Sequence, residues 1–123
     1  MPAILIIDDD ADFSAIAHAH FTKLGYKVEM ARDGKAGLSL AAVMKPDILL
    51  LDILMPQMNG IEVLRELQAG DETSDIPVVI VSGKYVDQGM IDLFMQESNF
   101  RAFVGKPVAL DTLQKKVETF IRK

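Results

Sequence analysis

The sequence predicts an α/β domain built on a five-stranded parallel sheet with helices on both faces. Short apolar runs alternate along the chain with segments of helical periodicity, which is typical of β-α-β units. Parallel strands require crossover connections, and these are right-handed. The central run, residues 48–51, is Ile-Leu-Leu-Leu without alternation, as expected of a strand covered on both faces.

Five apolar runs are predicted to be strands. The first is 3–7, which three consecutive aspartates end, and the second is 26–31. The third is 48–51, and a loop rich in turn-forming residues follows it. The fourth, 78–81, places four β-branched residues in succession, and the fifth, 102–104, is short.

The first two helices are predicted from apolar spacing and end signals. In the first, Asp10 or Asp12 lies near the N-cap and Gly25 ends the helix. The second covers about residues 35–44 and has Asp33 at its N-cap. The apolar residues that the spacing predicts to be buried in the first helix are Phe13, Ile16, Ala17, Phe21 and Leu24.

Three more helices complete the alternation. The third has about two turns and ends at Gly70, and the fourth covers about residues 86–97. Because no linker or repeat interrupts the pattern, residues 1–123 are predicted to form one domain without an output domain. The residues predicted to be buried are Ile91, Phe94 and Met95 in the fourth helix, and Leu110, Leu113, Val117, Phe120 and Ile121 in the fifth.

Composition excludes several classes of function. A net charge of -5 leaves no broad basic surface, so direct binding to nucleic acid or acidic membranes is not expected. The absence of cysteine excludes disulfides and thiolate metal sites. The apolar start before the aspartates is too short for a signal peptide or a membrane span. We therefore expect a cytoplasmic protein without membrane insertion.

Reactive side chains follow the predicted strands at their carboxyl ends. Asp8 and Asp9 follow the first strand, and Asp52 follows the third. Ser82 follows the fourth strand, and Lys106 comes just after the fifth. Ligands of open α/β sheets bind at this edge, so we expect these side chains to converge there. Carboxylates about 5 Å apart repel by about 3 kcal/mol at an effective dielectric near 20, which predicts a bound divalent cation. Carboxylate oxygens suit Mg²⁺.

This set of side chains fits phosphoryl transfer. An aspartate can act as a nucleophile and form an acyl phosphate, while a cation and a lysine stabilise the charge on the transferred group. Asp52 is the candidate nucleophile and Lys106 the second positive charge. Ser82 can donate a hydrogen bond to a phosphoryl oxygen.

The motifs resemble those of the receiver domain of two-component response regulators. The resemblance covers essentially the whole chain, from ILIIDDD through PDILLLDILMPQMNG and IPVVIVSG to AFVGKP. It implies the flavodoxin-like fold with strand order 2-1-3-4-5. It also implies that Asp52 is the phosphoacceptor and that Asp8, Asp9 and Asp52 hold Mg²⁺, with Mn²⁺ as the alternative ion. The backbone carbonyl of Leu54 is the remaining implied protein ligand.

The resemblance also implies a switch. Ser82 matches the switch hydroxyl, Phe103 matches the switch aromatic residue, and the peptide bond between Lys106 and Pro107 is expected to be cis. Leu54 carries no polar group to orient an attacking water, and Lys84 is the other position expected to tune dephosphorylation. The sequence therefore predicts slow loss of the phosphoryl group.

The implied function is a phosphorylation-dependent signalling switch. A phosphohistidine on a sensor histidine kinase or a histidine phosphotransfer domain would donate its phosphoryl group to Asp52. The chain would catalyse only its own phosphorylation and dephosphorylation. Phosphorylation would then change the surface formed by the fourth helix, the fifth strand and the fifth helix, and so control an unknown downstream protein.

Two other functions remain possible from the sequence. The aspartates after the first strand also read D-x-D, as in haloacid-dehalogenase-like phosphatases, and Asp8 would then be the nucleophile. The chain is short for that family and has no acidic pair after a later strand. The second alternative is a receiver-like interaction module that acts without phosphorylation. Loss of phosphorylation in Asp52→Asn indicates the receiver, and loss in Asp8→Asn indicates the phosphatase.

Overall fold

The computed structural model describes residues 2–53, 60–83 and 88–122. Strands and helices alternate strictly through these residues, which confirms the α/β class. The elements in chain order are β1 (Ala3–Ile7), α1 (Ala11–Lys23), β2 (Lys27–Ala31), α2 (Gly34–Met44), β3 (Ile48–Leu51), α3 (Gly60–Ala69), β4 (Val78–Ser82), α4 (Gln88–Met95), β5 (Phe100–Gly105) and α5 (Leu110–Phe120).

The five strands form one parallel sheet in the order β2-β1-β3-β4-β5. The flavodoxin-like order implied by the resemblance is therefore confirmed. In the register, Ile7 pairs with both Ala31 and Leu51, so the strands on either side of β1 end level with it. This register brings the residues that follow β1 and β3 to the same edge of the sheet.

Helices cover both faces of the sheet, which explains why the central strands are apolar without alternation. Leu5 and Ile7 of β1 belong to a core formed with α2, α3 and α4. Ile4 and Ile6 point to the other face and pack with α1 and α5. All four side chains are fully buried. At about 1.5–3 kcal/mol for each fully buried large aliphatic side chain, the two cores are the main stabilising contribution.

Most predicted element bounds agree with the structure to within two residues. The third helix has 10 residues, which is longer than the two turns predicted. The fourth helix, by contrast, begins at Gln88 in the described residues, and 86–87 of its predicted span lie outside them. The last strand is longer than predicted and has 6 residues, Phe100–Gly105.

The predicted buried face of α1 is partly wrong. Ala17 and Phe21 are fully buried, but Ile16 is 56 % exposed and Leu24 is 47 % exposed. Ser14 occupies the third buried position of this helix. The buried residues are spaced i, i+3, i+7, so the helix contacts the sheet along a narrower stripe than the apolar residues define.

The predicted burial in α4 also needs correction. Phe94 is buried and stacks on Phe100 at 5.9 Å between ring centroids, but Met95 is 64 % exposed. Ile91 is only partly buried. In α5, Leu113 and Val117 are buried as predicted, whereas the remaining apolar residues of its stripe are partly buried.

The N-caps of the first two helices are side-chain carboxylates. Asp10 caps α1, because its Oδ1 accepts a hydrogen bond from the Phe13 backbone N–H at 3.1 Å. Asp33 caps α2 in the same way through the Ala36 N–H at 2.8 Å. Of the two predicted candidates for the N-cap of α1, Asp10 is therefore the one that caps the helix.

None of the helices in the described part of the chain has the length and apolar character needed to cross a bilayer.

Candidate functional site

Three aspartates lie together at the carboxyl edge of the sheet. The Asp52 backbone N–H donates to the Ile7 carbonyl at 2.9 Å, and the Asp8 N–H donates to the Ala31 carbonyl at 3.0 Å. These bonds continue the ladders one residue past the strands and fix both aspartates at the same level. One carboxylate oxygen from each of Asp8, Asp9 and Asp52 lies within 4.8 Å of the others.

The three carboxylates differ in their exposure to solvent. Asp8 is 3 % exposed and Asp52 is 8 % exposed, whereas Asp9 is exposed. Burial raises the pKa of Asp8, and the nearby charge of Asp52 acts in the same direction. Hydrogen bonds from the Lys106 ammonium and the Asp10 backbone N–H oppose this rise without cancelling it. Asp8 is therefore a carboxylate that depends on a neighbouring cation.

Lys106 supplies that positive charge. Its Nζ lies 2.8 Å from Asp8 Oδ2 and 3.4 Å from Asp10 Oδ2. The side chain is 14 % exposed, and its backbone N–H donates to the Ser82 carbonyl at 2.9 Å. Burial lowers the pKa of Lys106, but the hydrogen bond to Asp8 and the charges of the nearby aspartates outweigh burial and raise it. The side chain is thus an ammonium at neutral pH.

The remaining predicted site residues lie in different environments. Ser82 ends β4 and is 1 % exposed, at the same edge as Lys106. Phe103 is partly buried and packs against the core under α2, α3 and α4. The peptide bond between Lys106 and Pro107 is cis, as expected. Leu54 and Lys84 lie outside the described residues.

The donor set of the three aspartates fits Mg²⁺. Carboxylate oxygens are hard ligands, and Mg²⁺ keeps several waters, so a few carboxylates on one side of the ion suffice. The close approach of the three oxygens is also unfavourable without a positive charge between them. Asp8, Asp9 and Asp52 could therefore hold a divalent cation.

Asp10 has a contact that sequence reasoning missed. It was assigned only to the helix N-cap, yet its second oxygen faces Lys106. The Phe13 ring lies on the same ammonium, with 4.5 Å between Nζ and the ring centroid. A helix cap can be read from local sequence, but its contact with a residue 96 positions away cannot.

Asn99 is a second residue whose contacts could not be predicted from the sequence. It is 1 % exposed, and its Nδ2 donates to the Leu64 carbonyl of α3 at 3.1 Å. Its Oδ1 accepts from Gln68 Nε2 at 3.1 Å, and its own carbonyl accepts from the Val78 N–H at 2.9 Å. Asn99 therefore connects α3 to the start of β4 and β5.

With this fold and site established, comparison with known proteins identifies the family. The family model for the response regulator receiver domain matches residues 4–118. The chain therefore belongs to the receiver domain family of two-component systems.

Two curated relatives illustrate the range of the family. The chain is 37 % identical over 121 residues to Protein PilH of Pseudomonas aeruginosa, and the match covers 98 % of each chain. It is 32 % identical over 123 residues to the DNA-binding dual master transcriptional regulator RpaA of Synechocystis. That match covers all of this chain but 50 % of RpaA, so the chain spans about half the length of that relative.

Solved structures show the same fold. The chemotaxis protein CheY4 of Vibrio cholerae has a TM-score of 0.91 at 21 % identity, over 98 % of this chain and 99 % of that one. A receiver domain of a sensor histidine kinase from Pseudomonas aeruginosa has a TM-score of 0.84 at 23 % identity, over 97 % and 96 %. That structure has a magnesium ion coordinated in its active-site cleft.

Proposed function

We propose that Asp52 accepts a phosphoryl group from a phosphohistidine and that the phosphorylated domain controls a partner protein. The observation that carries this proposal is the position of Asp52 at the end of β3, within 4.8 Å of the Asp8 and Asp9 carboxylates and at the same edge as Lys106. Membership of the receiver family supports the same assignment.

The proposed reaction needs one nucleophile and stabilisation of negative charge. An Asp52 carboxylate oxygen attacks phosphorus, the bond from phosphorus to the imidazole nitrogen breaks, and its electron pair returns to the imidazole, which takes up a proton. The product on the domain is an acyl phosphate. The Lys106 ammonium moves from Asp8 toward the phosphoryl group and stabilises its charge.

The proposed cation is Mg²⁺, with Mn²⁺ as the alternative. Asp8, Asp9 and Asp52 would hold it, and the backbone carbonyl of Leu54, outside the described residues, is the further proposed ligand. When bound, the ion withdraws negative charge from the phosphoryl oxygens and lowers the repulsion between them and the carboxylates. Asp8 and Asp9 thus act by placing charge beside the nucleophile.

Donors are proposed to be a sensor histidine kinase or a histidine phosphotransfer domain. An apolar cavity of about 440 Å³ lies beside Lys106, and Phe13, Ile16 and Pro107 line part of it. The 56 % exposure of Ile16 gives a partner protein an apolar surface to bury next to the site. Such donors fit a cytoplasmic location. We propose that residues 1–123 act there as one receiver domain. This domain catalyses only its own phosphorylation and dephosphorylation.

Phosphorylation is proposed to shift the domain between two states. The Ser82 hydroxyl would donate a hydrogen bond to the phosphoryl group, and Phe103 would pack further inward. The surface of α4, β5 and α5 changes as a result and meets the downstream protein. The free energy by which phosphorylation shifts the equilibrium between the two states cannot exceed the difference between the contacts that the phosphoryl group makes in each state. If phosphorylation leaves the NMR signals of residues 83–105 unmoved, the proposal of a switch is wrong.

The lifetime of the acyl phosphate is proposed to depend on Leu54 and Lys84. Leu54 offers no polar group to orient an attacking water, so self-dephosphorylation is expected to be slow. Leu54→Asn should accelerate loss of the phosphoryl group, and an unchanged rate would remove this idea.

A labelling experiment tests the proposed phosphoacceptor. The chain is incubated with a small phosphodonor and Mg²⁺, and incorporated phosphate is counted for wild type, Asp52→Asn and Asp8→Asn. We expect wild type to be labelled and Asp52→Asn to be blank, whereas Asp8→Asn is labelled more slowly. Labelling that persists in Asp52→Asn and disappears in Asp8→Asn indicates the phosphatase mechanism. An unlabelled wild type indicates an interaction module.

A further inference from the structure

Among the described residues, the Lys106 ammonium contacts Asp8, which follows β1, and two groups at the start of α1. Asp8 Oδ2 is the nearest, at 2.8 Å. Asp10 Oδ2 follows at 3.4 Å, and the Phe13 ring centroid lies 4.5 Å away. The ammonium is therefore held between the end of β1 and the first turn of the helix that follows it.

The Asp10 carboxylate is held in place by its role as helix cap. Its Oδ1 accepts the Phe13 backbone N–H at 3.1 Å, which leaves Oδ2 directed toward Lys106. Lys106 is fixed at its backbone by the bond to the Ser82 carbonyl. Only the flexible four-carbon stem of the lysine remains to be ordered, and its far end meets Asp10 and Phe13.

Unlike Asp8, Asp10 is not one of the proposed ligands of the cation. Both Asp8 oxygens are engaged, since Oδ1 accepts the Asp10 N–H at 2.9 Å and Oδ2 accepts from Lys106. The group that could hold a cation contains Asp8, Asp9 and Asp52 but not Asp10. The contacts of the ammonium with Asp10 and Phe13 are thus independent of the shared carboxylate of Asp8.

We propose that Asp10 is a positioning residue that acts through Lys106: with Phe13, it orders the lysine ammonium beside Asp8 before phosphoryl transfer. The expected effect on the rate of phosphorylation rests on the proposed function. An ammonium that is already ordered loses less conformational entropy when it engages the phosphoryl group. Because exposed ion pairs contribute little, we expect Asp10→Asn to slow phosphorylation by about two- to five-fold.

The test measures the position of the ammonium directly. In metal-free, unphosphorylated protein, the Lys106 side-chain NMR signals are assigned by their loss in Lys106→Met. The Phe13 ring should shift these signals upfield from those of an exposed lysine such as Lys35. Asp10→Asn retains an oxygen that can cap the helix and removes only the charge, so its signals should move toward the exposed-lysine values.

Two control variants separate this effect from general causes. Asp12→Asn removes the same charge from an exposed position in the first turn of α1. Asp33→Asn makes the same change at the N-cap of α2, far along the chain from Lys106. Both should leave the Lys106 signals and the phosphorylation rate unchanged.

The outcomes are decisive for the proposal. Lys106 signals that do not move in Asp10→Asn would show that the ammonium is ordered without the Asp10 charge. An equal shift of the Lys106 signals in Asp12→Asn would show that the effect comes only from the change in net charge. Either result overturns the proposal. Because the NMR signature needs neither metal nor phosphate, it can hold even if the chain is never phosphorylated. Failure of the proposed function would be seen in the labelling experiment, independently of these NMR signals.

Discussion

Lys106 and Asp8, 98 positions apart in the chain, form an ion pair with 2.8 Å between Nζ and Oδ2. The Asp8 side chain is 1 % exposed and that of Lys106 is 14 % exposed. A charged pair with so little solvent depends on both partners, because removal of one leaves the other charge poorly solvated. This pair links the residue that follows β1 to the residue that follows β5.

Lys106→Met should therefore destabilise the metal-free domain. Met keeps much of the apolar stem but leaves the buried Asp8 carboxylate without its cation, at an expected cost of about 1–3 kcal/mol. The measurement is the free energy of unfolding in urea at neutral pH. Lys45→Met is the matched control, because Lys45 pairs with Glu72 on the surface and should contribute less than about 1 kcal/mol. Equal costs for the two variants would contradict the account.

Mg²⁺ should stabilise the domain through the three aspartates. Binding to the folded state alone raises the free energy of unfolding by about 2.7 kcal/mol when free ion is 100 times Kd. We expect a rise in Tm with Mg²⁺ for wild type and for Asp71→Asn, an exposed loop control, but a much smaller rise for Asp9→Asn. A rise that is the same in Asp9→Asn would place the ion elsewhere.

Asn99→Ala should destabilise the domain more than its position in a short connection suggests. The change leaves the buried Leu64 carbonyl without the Nδ2 donor, at an expected cost of about 1–3 kcal/mol. Ser98→Ala is the neighbouring control, since Ser98 makes an exposed bond to Gln68 and should cost under about 1 kcal/mol. Chemical denaturation measures both, and a loss for Asn99→Ala no larger than for Ser98→Ala would refute the assigned role.

Gly37→Ala should destabilise α2 although alanine favours helices. Helix propensity alone predicts a gain of about 1 kcal/mol. A Cβ at Gly37 would overlap Ile7 Cδ1 and lie 2.6 Å from Ile7 Cγ1, and overpacking costs about 1–3 kcal/mol. Because Ile7 is fully buried, we expect the steric cost to exceed the gain.

The Gly37 prediction can be checked with a second substitution. Ile7→Val removes the Cδ1 methyl group, so Gly37→Ala should cost less in that background than in wild type. Unfolding free energies of the four proteins in this cycle measure the coupling. A net stabilisation by Gly37→Ala alone would show that α2 moves away from β1 without cost.

The sequence was sufficient for the fold because its strongest signals are local. Unbroken apolar runs such as 48–51 can be buried only between two layers of helices, and helices in turn separate them along the chain. Placing Asp8 and Asp52 at one edge then follows from the direction of parallel strands alone. The structure adds the register that sets them level, in which Ile7 pairs with Leu51.

The sequence was insufficient where burial or contact depends on distant neighbours. Apolar spacing gives the direction of a helix face but not how much of it another element covers, so Ile16 and Met95 were wrongly predicted to be buried. The second contact of Asp10 and the hydrogen bonds of Asn99 depend on residues far away in the chain. Local patterns carry no information about such pairs.

Chemical mapping of the phosphorylated residue tests the central claim most directly. The domain is phosphorylated with a small phosphodonor, the acyl phosphate is reduced with borohydride, and peptides are sequenced by mass spectrometry. We predict conversion of Asp52 to homoserine, with Asp8 and Asp9 unmodified and no conversion in Asp52→Asn. Homoserine at position 8 with Asp52 intact would contradict the account.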